Sequence, residues 1–358
     1  GRKDAYIYEE HYDDVSGYSN PHESEHDHFI IGHTSTSVSL ACGLAKARDL
    51  NGEKGNVIAV IGDGSLSGGE ALEGFDYAVE LEGNLIIVVN DNDMSIAENH
   101  GGLYGNLKLL RETNGQAECN LFKAMGLDYV YVNEGNDVAS LIDAFNKVKD
   151  SSKPVVVHIN TLKGKGYAPA EQHKEQWHYS GPFDIKTGKS LYAEGGEDYS
   201  SVTCDYLLKK MKEDKSVVAI TSATPTVMGF TEDKRKEAGK QFVDVGIAEE
   251  TAVAMAAALL GMFGKEALAF AGGAAAIRIL APSFLPAGAA LAFAGALQGL
   301  GRSGDALWIA ALRQLVALLP AAYLLGRYCA DTLWFAFPFA ELLLWRRAAR
   351  RSLSQSIH

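Results

Sequence analysis

The sequence predicts an α/β protein: a doubly wound parallel sheet, a truncated second α/β unit, and an apolar α-helical tail. Three observations predict it. Short β-rich runs alternate with stretches of helical spacing over roughly the first 160 residues. The same rhythm restarts near residue 200 and stops before it could complete a sheet. From Lys265 onward the composition shifts to Ala, Leu, Gly and Phe. Strands that alternate with helices imply a parallel sheet with helices packed on it.

The elements follow in order. NVIAVI (56–61) and NLIIVVN (84–90) read as buried strands, with helical spacing over 68–82 between them. Strands this apolar are normally covered by helices on both faces. DYVYV (128–132) and PVVVHIN (154–160) are further strands, separated by an amphipathic helix near 136–149. GPFDIKTGKS (181–190) is turn-rich and reads as a linker. The second unit comprises a helix over 200–213, strands SVVAIT (216–221) and QFVDV (241–245), and a helix over 248–261. The divisions are therefore 1–190, 191–264 and 265–358.

Charge divides the chain at the same place. The whole chain has 358 residues and a formal net charge of −12. The first 264 residues hold 24 Lys or Arg against 41 Asp or Glu; the remainder holds nine against four. An acidic body argues against nucleic acid as a partner, because phosphate binding needs clustered Lys and Arg. Cys42, Cys119, Cys204 and Cys329 are scattered with no CxxC, which points to reduced thiols and a cytoplasmic setting for residues 1–264. The chain begins Gly-Arg-Lys with no Met and no signal-like run, so a preceding segment is expected to be missing. In the tail, the uncharged run between Arg278 and Arg302 has the length of a bilayer span, roughly 20 residues. Apolar stretches follow over 306–326 and 328–345, and the basic end WRRAARRSLSQSIH favours a cytoplasmic flank. The tail is expected to be transmembrane-like and to give the chain membrane contact. Its charges Arg313 and Glu341 could serve a function inside a membrane, or snorkel and pair with each other.

The chemistry is concentrated in VIAVIGDGSLSGGE (57–70). Ligands of open α/β sheets bind outside the carboxyl ends of the strands. Asp63, between Gly62 and Gly64, sits at such an end, and the residues after it look like a helix start. Twenty-nine residues later comes Asn92, inside NDNDMS (90–95). A right-handed crossover between parallel strands brings both loops to one edge of the sheet. There Asp63 and Asn92 can offer oxygens to one hard cation such as Mg²⁺, which takes its remaining ligands from water and a diphosphate. Gly64, Ser65 and the following helix N-terminus offer backbone N–H groups to that diphosphate. The other reading is a capping Asp63 and a polar turn; the two motifs together at this spacing favour a metal–diphosphate site.

These motifs resemble the transketolase-like thiamine diphosphate enzymes, and most closely the 1-deoxy-D-xylulose-5-phosphate synthases. SEHDHFIIGHTSTSVSLACGLAKARDL (24–50), IGDGSLSGGEALEG, NDNDMSI, KGKGYAPAE (163–171), HYSGPFD (178–184) and FVDVGIAEETAVAMA (242–256) are similar to segments of that family and occur in its order. The resemblance covers about residues 1–260. It implies a thiamine diphosphate-binding fold, with a diphosphate- and Mg²⁺-binding domain over 1–190 and a truncated pyrimidine-binding domain over 191–264.

It also implies roles. Asp63, Asn92 and the Met94 carbonyl would bind Mg²⁺. Gly32, His33, Thr34, Gly64, Ser65, Asn92 and Tyr167 would touch the cofactor. His33 suits phosphate contact or proton transfer near neutral pH. Lys163 and Lys165 could neutralise phosphate or form a solvated basic loop, and His178 could face the substrate. Glu249 would hydrogen-bond the aminopyrimidine from a semi-apolar pocket that favours its protonated form; by itself it reads as an acidic residue in a first helical turn. The family pattern has Gln-His where this chain has Glu250-Thr251, which removes one expected histidine.

The implied reaction joins pyruvate, with decarboxylation, to D-glyceraldehyde 3-phosphate in a homodimer; a transketolase-like subunit is the alternative. The family's second domain continues further and a third follows, so this chain is expected to turn over weakly or not at all. Residues 266–347 instead resemble the C-terminal helices of a multidrug and toxin extrusion transporter, LQGLGRSGD being similar to a polar loop of that family. A chimera is therefore expected, and a transporter fragment fused to a non-functional synthase piece is the reading from a different class.

Overall fold

The computed structural model describes residues 2–8, 11, 14–192, 198–263, 319–328 and 335. The chain divides into two compact units, residues 1–252 and 253–358. The described elements are α1 (Lys3–Ile7), α2 (Ser37–Leu50), β1 (Val57–Gly62), α3 (Gly69–Ala78), β2 (Leu85–Asp91), α4 (Gly102–Glu112), α5 (Leu121–Ala124), β3 (Asp128–Val132), α6 (Val138–Val148), β4 (Val155–Asn160), α7 (Ala168–Gln172), α8 (Tyr199–Glu213), β5 (Ala219–Thr221), α9 (Glu232–Ala238), β6 (Phe242–Asp244), α10 (Glu249–Phe263) and α11 (Leu319–Tyr328).

The α/β expectation holds. Four strands pair in parallel in the order β1-β2-β4-β3, with Gly62 beside Asn90 and Asp91 beside Asn160. Helices cover both faces of the sheet. On one, α2, α3, α4 and α5 bury Ala59, Ile61, Leu85, Ile87, Val89 and Phe122. On the other, α6 packs Ala144 and Val148 against Ile86, Val88, Val155 and Val157. The amphipathic spacing of 138–148 is the cause: its apolar stripe meets β-branched side chains on the pleat. Asp137 caps that helix, accepting from the Ser140 N–H at 2.8 Å.

Two sequence expectations need correction. β1 is not covered on both faces: Ile58 and Val60, in register with buried Ile86 and Val88, are 52% and 63% exposed. β1 lies at the sheet edge, and among the described residues the cluster under α6 extends from β3 and β4 to β2 but not to β1. The GDGS segment does not open a helix directly. A 3₁₀ turn over Asp63–Ser67 intervenes, and extended Gly68 (ψ 133°) separates it from α3. The turn-rich reading of 181–190 is found as a tight turn. Phe183 pairs with Ser190, Asp184 accepts from the Thr187 and Gly188 N–H groups, and the Phe183 ring packs 4.7 Å from Trp177.

The second sheet holds β5 and β6 in parallel, packed under α8 and α9 by Cys204, Leu208, Met211, Phe230 and Ala238. β5 is shorter than the apolar run suggests. Residues 214–217 form a turn, with the Ser216 N–H on Asp214 and the Gln241 amide on the Val217 carbonyl.

Most of the apolar tail, including the run at 279–301, all of 328–345 but Tyr328 and Phe335, and most of the transporter-like segment, lies outside the described residues. Among the described residues no helix is long and apolar enough to cross a membrane.

Candidate active site

Parallel pairing of β1 with β2 puts the residues that follow Gly62 and Asn90 side by side at the carboxyl edge of the sheet. Asp63 is 2% exposed there. Its Oδ2 accepts from the Met94 N–H at 3.1 Å and from Asn99 Nδ2 at 2.8 Å. Asn92 Oδ1 is buried with no hydrogen-bond partner among the described residues. Burial, with the charge of Asp91 adding to it, pushes the Asp63 carboxyl up to about 7; N–H donors from Gly64, Met94 and Asn99 act in the opposite direction. A buried carboxylate and an orphaned amide oxygen on neighbouring loops are each costly without a cation. Oxygen donors of this kind fit a hard divalent ion. No cluster of three or more His, Cys, Asp or Glu side chains suits a metal among the described residues; with the Asp91 and Asp93 carboxylates engaged by Arg111, Asp63, the Asn92 amide and backbone oxygen are the donors left to a cation at this edge.

Gly64 is required by close approach: a Cβ there would lie 2.9 Å from Ser95 Oγ and 3.1 Å from Ser95 Cα. The hydroxyls of Thr34 and Ser65 hydrogen-bond each other. Ser35, in the left-handed region at φ 73°, donates to the Ser65 carbonyl at 2.8 Å. The GHTS loop is thus tied to the GDGS turn. His33 Nδ1 donates to the Thr34 carbonyl at 2.7 Å, which leaves Nε2 facing outward, 3.7 Å from Glu249 Oε1. Gly32 is exposed, and a side chain there would meet nothing.

Glu249 opens α10, and the turn before it is held to the first sheet. Ser67 Oγ donates to the Gly64 carbonyl and accepts from the Ile247 N–H, both at 3.0 Å. Gly246 at φ 75° makes that turn. The expected semi-apolar pocket is not found: the Glu249 side chain is 53% exposed. It sits at the first residue of a helix whose N-terminal turn projects toward His33, itself exposed.

Lys163 Nζ donates to the Ser95 carbonyl at 2.5 Å and to His178 Nδ1 at 3.0 Å. Burial and the adjacent ammonium push His178 down. Burial also lowers Lys163, against the pull of Asp63 and Glu175. Tyr167 packs in an aromatic cluster with Trp177 and Phe183, its hydroxyl buried without a partner among the described residues. A polar cavity of about 530 Å³ adjoins Asn92, Thr161 and Lys165; neither Asp63 nor Glu249 lines it.

Several residues here escaped sequence reasoning. Asp91, 0% exposed, receives Arg111 at 2.7 Å and His158 at 2.9 Å. The signal for His158 was a polar residue inside the apolar run PVVVHIN. Arg235, in α9, forks onto Glu175 at 2.9 and 2.8 Å and reaches Glu98 at 3.2 Å, so it binds α9 to the loops carrying Met94 and His178. Arg235→Met should cost about 1–3 kcal/mol, since it strands Glu175 at a partly buried bidentate pair. Urea unfolding of the variant measures this; an unchanged midpoint would show that the clamp carries no stability.

Comparison with known proteins bears on this edge. Residues 1–120 and 110–161 match the family model described as 1-deoxy-D-xylulose-5-phosphate synthase. The chain is 38% identical over 296 residues to 1-deoxy-D-xylulose-5-phosphate synthase 1 of Geobacter sulfurreducens, covering 72% of this chain and 46% of that protein. It is 36% identical over 295 residues to the synthase of Alkaliphilus oremlandii and 36% over 299 to that of Porphyromonas gingivalis, each covering 72% of this chain and 47% of the relative. The chain spans about half the length of the curated relatives it matches. Among solved structures, a Mycobacterium smegmatis protein assigned as thiamin diphosphate-dependent aligns over 37% of this chain and 22% of its own, at 19% identity and TM-score 0.28.

Proposed function

We propose that the chain carries the cofactor-binding part of a 1-deoxy-D-xylulose-5-phosphate synthase, a transferase dependent on thiamine diphosphate and Mg²⁺. One observation carries the reading. Asp63 and the orphaned, buried Asn92 Oδ1 stand on the loops that follow two adjoining parallel strands, inside the segment that matches the synthase model. Thiamine diphosphate, when bound, supplies a carbon nucleophile for decarboxylating pyruvate and joining its remainder to D-glyceraldehyde 3-phosphate.

The chain's own residues then divide the work. Asp63, Asn92 and the Met94 carbonyl hold Mg²⁺. Gly64 and Ser65 present backbone N–H groups to the diphosphate, with Gly32, His33, Thr34 and Tyr167 lining the cofactor. The Glu249 carboxyl hydrogen-bonds the aminopyrimidine. His33 Nε2, free to take or give a proton because Nδ1 is committed to Thr34, assists beside it. His178, its pKa lowered by burial and Lys163, accepts from Lys163 at Nδ1 and offers substrate its Nε2–H as a donor. Residues 1–190 form the diphosphate domain and 191–264 the pyrimidine domain, in a homodimer.

Calorimetric titration of the full chain with thiamine diphosphate tests the reading. Binding is expected with Mg²⁺ and not with EDTA. Absence of Mg²⁺-dependent binding would overturn it. Product analysis after incubation with pyruvate and D-glyceraldehyde 3-phosphate separates the synthase from a transketolase-like activity.

A further inference from the structure

The turn that carries Asn92 is gripped from behind. Arg111, in the last turn of α4, donates through Nη1 to both oxygens of Asp91 at 2.7 Å. Its Nη2 reaches Asp93 Oδ1 at 2.5 Å. One guanidinium therefore spans the two carboxylates that flank Asn92. Asp91 is immobile for independent reasons: His158 Nε2 donates to it, His158 Nδ1 meets the Tyr129 hydroxyl at 2.8 Å, and the Thr161 N–H holds its carbonyl. Asp93 is the strained member, a non-glycine residue at φ 63°. Left-handed backbone at such a residue persists where surrounding contacts over-determine it. That conformation is what turns the Met94 N–H onto Asp63 Oδ2.

We propose that Arg111 is a positioning residue: by bridging Asp91 and Asp93 it holds the left-handed turn that carries Asn92 and sets the Met94 N–H against Asp63. The inference rests on the reading of Asp63 and Asn92 as cation ligands. A simpler role would be to neutralise the buried charge of Asp91. The two roles separate chemically. A lysine can neutralise Asp91 but cannot fork onto two carboxylates, because an ammonium is a point charge and a guanidinium a rigid planar array.

Arg111→Lys in the full chain is the test, with three readouts. The melting temperature should move by a few degrees. Hydrogen exchange of the Met94 amide, measured without metal, should quicken at least tenfold. The Kd for Mg²⁺ in the presence of thiamine diphosphate should rise about 10–100-fold, the usual effect of removing a partner that orients a ligand, with cofactor binding recovered at high Mg²⁺. Asp93→Gly, which tolerates the left-handed backbone and removes an exposed carboxylate, guards against a folding failure and should shift exchange and Kd the same way. If Met94 exchange and Mg²⁺ affinity both stay within twofold of wild type, the positioning role is wrong and charge compensation is the whole account. If the wild-type chain itself shows no Mg²⁺-dependent binding, the cation reading fails, and Met94 exchange alone still decides whether Arg111 holds the turn.

Discussion

Asp63→Ala should abolish Mg²⁺-dependent binding of thiamine diphosphate, lowering affinity by about 100-fold or more. The substitution removes the only carboxylate among the proposed ligands and leaves the Met94 N–H and the Asn99 amide without their acceptor. A neutral edge then offers Mg²⁺ only amide and carbonyl oxygen, too little charge to repay its dehydration. Binding that survives the substitution would remove Asp63 from the metal assignment. The same carboxyl gives the metal-free chain a pH dependence. Its folded pKa is raised to about 7 from an ordinary 3.8, by burial first and then by Asp91. A raised carboxyl stabilises the fold fully below its unfolded pKa, and that contribution is lost as pH rises through about 7. Asp91 does not enter this window. Burial works to raise it, but hydrogen bonds from His158 and Arg111 outweigh burial and hold it low, so its contribution is lost only in strong acid. Between pH 5 and 8 the metal-free chain should therefore lose on the order of 3 kcal/mol. Asp63→Asn should flatten the profile, and Mg²⁺ should restore more stability at pH 8 than at pH 5. A wild-type profile as flat as that of Asp63→Asn would contradict the assignment.

Phe122→Ala should be the most destabilising single truncation in the first sheet's core. Phe122 is 1% exposed and stands between Phe75 at 5.6 Å, Tyr129 at 5.9 Å and His158 at 6.1 Å. Removing the ring leaves a cavity walled by stiff aromatic neighbours that cannot collapse into it. The expected cost is about 3–5 kcal/mol, or a fall in melting temperature of roughly 10 °C. Calorimetry of Phe122→Ala against Phe122→Leu measures it. A loss under about 1 kcal/mol would mean that this corner is not close-packed. Because the ring backs His158, and His158 holds Asp91, the damage should reach the strand edge as well.

What could be read in advance was what depends on short stretches of chain. The apolar, β-rich runs 56–61, 84–90 and 154–160 announced their strands, and the spacing of 29 from Asp63 to Asn92 announced that two loops would meet. Tertiary placement was not legible. Nothing near Asn99 or Arg111 in the sequence says that one reaches Asp63 and the other Asp91, since both come from segments that the fold brings back to the edge. The 3₁₀ turn at Asp63–Ser67 escaped because its residues suit a helix start as well, and extended Gly68 decides the matter. The open face of β1 escaped because apolar content does not tell an edge strand from a central one.

The Ser67 hydroxyl has a consequence for energetics. It is a single relay between the Gly64 carbonyl and the Ile247 N–H, one residue from the cation edge on one side and two from Glu249 on the other. On the cation-site reading proposed above, occupancy at the first place and order at the second become linked equilibria. Linkage is reciprocal: whatever factor a cation gains from a well-placed Glu249, Glu249 gains from the cation. Ser67→Ala should lower that factor without bringing it to one, because the Thr34–Ser65 bond and the approach of His33 to Glu249 still join the two ends.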